Sequence, residues 1–167
     1  MKKIVVLVEN IYEDLELWYP KVRLEEAGHQ VTVAGPERGK TYFGKHGYPC
    51  KCDIPFEEAK SKDFDALVIP GGFSPDRLRR RKEVLSLTAE MDQEGKPIAF
   101  ICHAGWVVIS AKILKGRKAT SVRAIKDDME NAGAIWLDEP CVVDGNLISS
   151  RTPADLPQFM QALLAQI

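Results

Sequence analysis

Apolar residues follow two rhythms along the chain. Short unbroken apolar stretches, as in strands buried on both faces, alternate with stretches where apolar residues return every third or fourth position, as on a helix. Lys3 to Val8 is the first strand pattern. Glu13 to Ala27 follows, with Leu15, Trp18, Tyr19 and Val22 at helical spacing and Gly28 as a stop. Pro20 lacks the N–H that would bond the Glu16 carbonyl, which predicts a kink. His29 to Ala34 alternates toward a second strand, so the chain opens as strand–helix–strand. Gly35 to Asp53 is irregular, with Gly39, Gly44, Gly47 and Pro49, and suggests a small antiparallel excursion. Phe56 to Lys60 reads as a short helix.

Phe64 to Ile69 is another strand, closed by Pro70-Gly71-Gly72. One helix should start near Pro75-Asp76, carry Leu78, Val84, Leu85, Leu87 and Met91 inward, and stop at Gly95. Pro97 to Ile101 is of buried-strand length. It meets Cys102-His103, and a helix-compatible apolar run continues from Trp106 to Leu114, stopped by Gly116, with Lys112, Lys115 and Arg117 at its negative end. Lys118 to Ser121 suggests a short strand and Ile125 to Ala132 a helix. Cys141-Val142-Val143 and Leu147-Ile148-Ser149 flank the hairpin signal Asp144-Gly145-Asn146, with Cys141 read as strand core. Thr152, Pro153 and Asp155 open a last helix with Leu156, Phe159, Met160, Leu163 and Leu164 on one side. The alternation predicts an α/β fold: a doubly wound sheet, helices on both faces, and a small antiparallel edge.

Composition narrows the possibilities. The 167 residues, 45% hydrophobic, suit one domain spanning 1–167. A net charge of −1 gives no global pull toward nucleic acid or membrane surfaces. No apolar run approaches the roughly 18 residues that span a bilayer, and the N-terminal run lacks a signal-peptide cleavage site. A cytoplasmic location is the expectation. Four cysteines, Cys50, Cys52, Cys102 and Cys141, make no disulfide framework for a domain this size. Cys50-Lys51-Cys52 with His46 upstream resembles half a metal site, but no second ligand cluster accompanies it, so no metal is assigned. The run Arg77, Arg79, Arg80, Arg81 and Lys82 reads as a solvated helix face or a contact between subunits.

The junction at Cys102 carries the chemistry. A strand that turns sharply into a helix pushes its corner side chain out above the sheet, as in a nucleophile elbow. The helix behind it aims N–H groups at that point and biases a thiol toward thiolate. Ligands of doubly wound folds sit beyond the C-terminal strand ends. The other ends supply Glu13, Asp14 and Glu16, and the pair Gly71-Gly72, whose N–H groups suit an oxyanion along with that of His103.

Several motifs together resemble the PfpI-type intracellular proteases, a branch of the superfamily that includes the Parkinson-associated deglycase and glyoxalase III enzymes. They are Tyr12 to Leu17 before Tyr19-Pro20, Gly44-Lys45-His46-Gly47-Tyr48, Phe64 to Gly72, Ile101-Cys102-His103, Ile125 to Met129, and Ser149 to Leu156. The resemblance spans essentially the whole chain. It implies a flavodoxin-like, class I glutamine amidotransferase-like domain without cofactor, assembled as a dimer or a hexamer of dimers. It implies Cys102 as nucleophile and Glu16 as the acid beside it, with His103 adjacent. The acid that orients the histidine comes from a neighbouring subunit in such proteins. Its position here is Asp76, one methylene shorter than the usual Glu. Ala104-Gly105 replaces the common Gly-Pro. Tyr48 and Trp106 are candidates for lining the pocket.

Three activities share this elbow. The first is action on reactive carbonyls such as methylglyoxal, or on glycated groups, in stress protection. The second is peptide hydrolysis with His103 as base and Asp76 as orienter. The third is redox sensing or chaperone action through oxidation of Cys102.

Overall fold

A computed structural model describes residues 1–167. The strands are β1 (Lys3–Leu7), β2 (Gln30–Gly35), β3 (Thr41–Phe43), β4 (Pro49–Lys51), β5 (Ile54–Pro55), β6 (Ala66–Ile69), β7 (Ile98–Ile101), β8 (Lys118–Ala119), β9 (Ile135–Trp136), β10 (Cys141–Asp144) and β11 (Leu147–Ser150). The helices are α1 (Asp14–Glu26), α2 (Ser74–Leu78), α3 (Lys82–Gln93), α4 (Gly105–Ser110), α5 (Lys126–Asn131) and α6 (Leu156–Gln166).

Seven strands form the central sheet in the order β10-β11-β7-β6-β1-β2-β5. Every pair is parallel except β10–β11, the antiparallel edge predicted from the Asp144-Gly145-Asn146 turn. Alternate residues of each strand point to opposite faces. Val5, Leu7, Leu67, Ile69, Ile98 and Phe100 pack toward Val84, Leu87 and Met91 of α3 and Val107 and Val108 of α4. Ile4, Val6, Val8, Val68 and Ile101 pack toward Leu17 and Leu24 of α1 and Phe159, Met160 and Leu163 of α6. Each such side chain contributes about 1.5–3 kcal/mol on burial. The two layers fix the strand ends, and the strand ends fix the site.

The irregular Gly35–Asp53 segment holds the antiparallel pair β3–β4, with Tyr42 opposite Cys50. β5 at the sheet edge, and β9 beside β8 in a separate two-stranded sheet, were not predicted. Phe56–Glu58 makes only a 3-10 turn, and Cys141 is half-buried on the edge strand rather than enclosed. Thr152 precedes a 3-10 turn, Pro153–Asp155, without a side-chain cap, while Asp155 takes a paired grip on Arg151.

Three larger expectations need correction. The helix after Gly72 is two helices, α2 and α3, broken where Arg81 is extended. Leu78 and Val84 are out of phase on one helix, and the break lets both be buried. α4 ends at Ser110, well before Gly116, because Lys112 turns into the left-handed region at φ 63°. Lys112, Lys115 and Arg117 therefore do not occupy its last turn. α1 runs on through Pro20 and buries Glu16, Leu17, Pro20 and Leu24, while Leu15, Tyr19 and Val22 face outward. No helix is long and apolar enough to cross a membrane.

Candidate active site

β7 lies between β6 and β11 and delivers Cys102 to the C-terminal edge of the sheet. Cys102 has φ 62°, a left-handed conformation that costs a non-glycine residue energy and recurs at functional corners. Cys102–Ala104 forms a 3-10 turn before α4, so the predicted elbow is present. The backbone N–H groups of His103 and Gly72 both point at the Cys102 sulfur. They are the donors for an anion formed there.

Glu16 reaches the same point from the first turn of α1 and is fully buried. One carboxyl oxygen accepts the Gly71 N–H at 2.8 Å, and Oε1 has no partner other than the adjacent thiol. A side chain on Gly71 would place its Cβ 2.5 Å from Glu16 Oε2 and 2.7 Å from the Cys102 Cβ. Only glycine lets acid and thiol meet. Gly72, at φ 78°, sits against the backbone of Ile11 and Glu13 and leaves no room for a Cβ.

Burial lifts the Glu16 carboxyl to about 8, opposed by the Gly71 N–H. The acid therefore holds its proton at neutral pH. The Cys102 thiol is also pushed up, to about 12, first by burial and next by the charge of an ionised Glu16. This reverses the predicted bias toward thiolate. α4 has only six residues and a 3-10 turn in front of it, too little to outweigh burial. The proton on Glu16 removes the repulsion and turns the acid into a donor toward sulfur. The two groups are thus coupled through one proton.

His103 Nδ1 lies 3.4 Å from the Cys102 sulfur. Burial, and then the Lys45 charge, hold the imidazole below its ordinary value, which keeps it neutral and able to accept a proton. Lys45 had no predicted role. Its ammonium pairs with buried Glu13 and acts electrostatically on Cys102, Glu16 and His103. Asp14 fixes the turn that carries it, accepting the His46 and Tyr48 N–H groups at 3.0 Å each. The adjacent acids at the start of α1, facing a glycine-flanked lysine in a later loop, were the available sequence signal.

The structure thus brings together Cys102, Glu16, His103, Gly71 and Gly72. Trp106 adjoins His103, ring centroids 5.1 Å apart, and donates to Asp128 at 2.9 Å. Tyr48 stands elsewhere. Its ring packs edge-on against Trp18 at 5.2 Å, in a cavity with Leu15, Val22 and His46 that Cys102 does not line. Asp76 is exposed on α2 and pairs with Arg80 at 3.2 Å, with no contact to His103 of its own chain. Glu13, Asp14 and His46 offer metal-ligand atoms within 4.8 Å of one another. Lys45 and two backbone N–H groups already answer those carboxylates.

Sequence comparison finds the archaeal deglycase PH1704 of Pyrococcus horikoshii 51% identical over 159 residues, 95% of either chain. Deglycase PfpI of Pyrococcus furiosus is 50% identical over the same share of both chains. Among solved structures, a two-domain protein of Anabaena variabilis with DJ-1/ThiJ/PfpI-like and ferritin-like domains superposes with a TM-score of 0.97 at 43% identity. The match covers 99% of this chain and 48% of that one, so this chain corresponds to about half of that protein. The sequence model of the DJ-1/PfpI family matches residues 2–166, and the chain belongs to that family.

Proposed function

We propose that this protein is a cofactor-free cysteine enzyme that acts on reactive carbonyls, either free 2-oxoaldehydes such as methylglyoxal or their adducts on amino groups. The observation that carries the reading is the protonated, buried Glu16 set against Cys102, with one oxygen left for the sulfur. The relatives named deglycases, about half identical in sequence, support the same class.

Neutral His103 takes the thiol proton as the Cys102 sulfur attacks the aldehyde carbon, and the oxyanion that forms, met by the His103 and Gly72 N–H groups, takes that proton back to give the hemithioacetal. Neutral His103, or Glu16 once it has passed its own proton to the neighbouring ketone oxygen, takes the proton from the former aldehyde carbon and delivers it to the neighbouring carbon. The resulting thioester is hydrolysed by water, giving lactate from methylglyoxal and restoring the thiol. An aldehyde needs no extended cleft, which suits a thiol boxed in by Glu16, Gly71 and His103. The short Cys102–His103 contact also favours a second reading, a peptidase with His103 as base. In it, exposed Asp76 would serve a neighbouring subunit of a dimer or hexamer.

Kinetics on methylglyoxal, a glycated amino acid and a fluorogenic peptide, for wild type and Cys102→Ser, test both readings. Carbonyl turnover should exceed peptide turnover and fall by about 100-fold or more in the variant. Undiminished carbonyl turnover by Cys102→Ser would overturn the mechanism. Peptide cleavage without carbonyl turnover would transfer the assignment to the peptidase.

A further inference from the structure

Four cationic side chains, Lys40, Arg77, Arg80 and Arg81, line a cavity of about 480 Å³ together with Glu9, Asn10 and Tyr42. Its floor comes from the segments just past β1 and β2, and its wall from the turn and helix after β6. With the excursion and edge strands set aside, the parallel strands run β2-β1-β6-β7-β11. In such sheets the connections diverge between β1 and β6, and the crevice they leave beyond the strand ends is where ligands bind. None of the lining residues belongs to the Cys102 site.

The chemistry of the lining is specific. Arg77 lies in the last turn of α2, Arg80 in the turn that follows and Arg81 at the extended break before α3, and all three line the same cavity, so their guanidinium forks serve one region of space. Planar forks suit the paired oxygens of a phosphate better than a spherical anion. Their present partners are loose or exposed: Arg77 lies 3.9 Å from Glu9, Arg80 lies 3.2 Å from Asp76, and Arg81 has no carboxylate in ion-pair reach. Lys40 likewise pairs only with Glu37, on the surface, at 3.4 Å. The two surface pairs, Arg80–Asp76 and Lys40–Glu37, are readily exchanged for a ligand.

Tyr42 supplies an independent sign. It is 2% exposed, and its buried hydroxyl meets only the Glu37 backbone N–H, so its own hydrogen has no acceptor. Buried hydroxyls are normally satisfied, and one left open at a cavity wall asks for a ligand atom. Glu9 and Asn10 give the ligand a second character. Glu9 is 5% exposed, with one oxygen accepting the Asn10 N–H at 2.8 Å. The Asn10 carbonyl oxygen accepts the Phe43 N–H at 3.0 Å, which leaves its amide N–H groups open. A carboxylate beside an anion site repels a bare anion but accepts from hydroxyls, and an open amide donates to them.

We propose that this cavity binds the phosphate monoester of a small polyol, with the phosphate on Arg77, Arg80, Arg81 and the Tyr42 hydroxyl, and the polyol hydroxyls on Glu9 and Asn10. The site stands independently of the carbonyl chemistry at Cys102.

Titration calorimetry at low salt with glycerol 3-phosphate, inorganic phosphate and glycerol tests it. Glycerol 3-phosphate should bind tightest, inorganic phosphate about 3- to 10-fold more weakly, and glycerol not measurably. Arg77→Gln with Arg81→Gln should weaken glycerol 3-phosphate by about 10-fold or more, and Cys102→Ser should leave it unchanged. Tyr42→Phe should weaken it by about 3- to 10-fold while leaving the unliganded melting temperature the same or higher. Failure of glycerol 3-phosphate to bind the wild type at about 10 mM, or equal binding by the double variant, overturns the site. Equal affinity for inorganic phosphate overturns the polyol half of the assignment. A lower unliganded melting temperature in Tyr42→Phe shows that the hydroxyl already donates to an acceptor within the protein and removes it from the site.

Discussion

A carboxyl group without solvent exposure is costly to ionise unless its charge is answered. Glu16 is answered on one oxygen by the Gly71 N–H and faces sulfur with the other. Its raised affinity for a proton makes it a donor at neutral pH, and a donor is what a thiolate in a buried corner needs. Glu16→Gln keeps a donor in place, whereas Glu16→Leu leaves only burial. Alkylation of Cys102 by iodoacetamide at pH 7, followed by site-resolved mass spectrometry, should therefore fall about 10-fold or more in Glu16→Leu. Glu16→Gln should retain a larger share of the reactivity. A Leu variant that is alkylated as fast as wild type would remove Glu16 from any part in activating the thiol.

At the scale of the element, α1 has two apolar faces with different jobs. The inner one buries Leu17, Pro20 and Leu24 and carries Glu16 among them. The outer one leaves Leu15 57% and Val22 53% exposed, with Tyr19 beside them and Trp18 and Tyr48 on its flank. Side chains this exposed carry little of the stability of the core. Leu15→Asp with Val22→Asp should therefore leave the helix content unchanged and lower the stability to urea by no more than about 1 kcal/mol. A loss of about 3 kcal/mol or more would mean that the outer face is packed in the folded chain. The same helix shows why the sequence misled. Periodicity marks an apolar face without saying which way it points. Here the buried face contained a carboxylate, and the outer face was the plainer stripe. The break between α2 and α3 was hidden for a related reason: no glycine or proline marks Arg79 to Arg81, and only the phase slip from Leu78 to Val84 records it. The strand-to-helix corner at Cys102 was legible because an unbroken apolar run has a sharp end. Lys45 was not, because its place depends on Asp14 holding a distant turn.

At the scale of the molecule, the parallel order of the sheet followed from alternating strand and helix patterns, while β5 and β9 were too short to leave a period. The folded sheet in turn makes global stability report on the site. Glu16 has an ordinary value of 4.5 when the chain is unfolded and about 8 when it is folded. Between those values the folded state keeps a proton that the unfolded state has lost. Stability from this group is therefore complete below pH 4.5 and falls as pH rises toward 8, by up to about 1.4 kcal/mol per unit. Urea unfolding at pH 5 and pH 8 should show the wild type losing about 3 kcal/mol more than Glu16→Gln over that interval, at unchanged m-value. The thiol adds little within this window, since burial keeps it protonated in the folded state and its ordinary value of 9.0 lies above the window. Parallel pH profiles for wild type and Glu16→Gln would mean that Glu16 is ionised in the folded protein. The proton that couples it to Cys102 would then have to come from elsewhere, with neutral His103 as the remaining neighbour able to carry it.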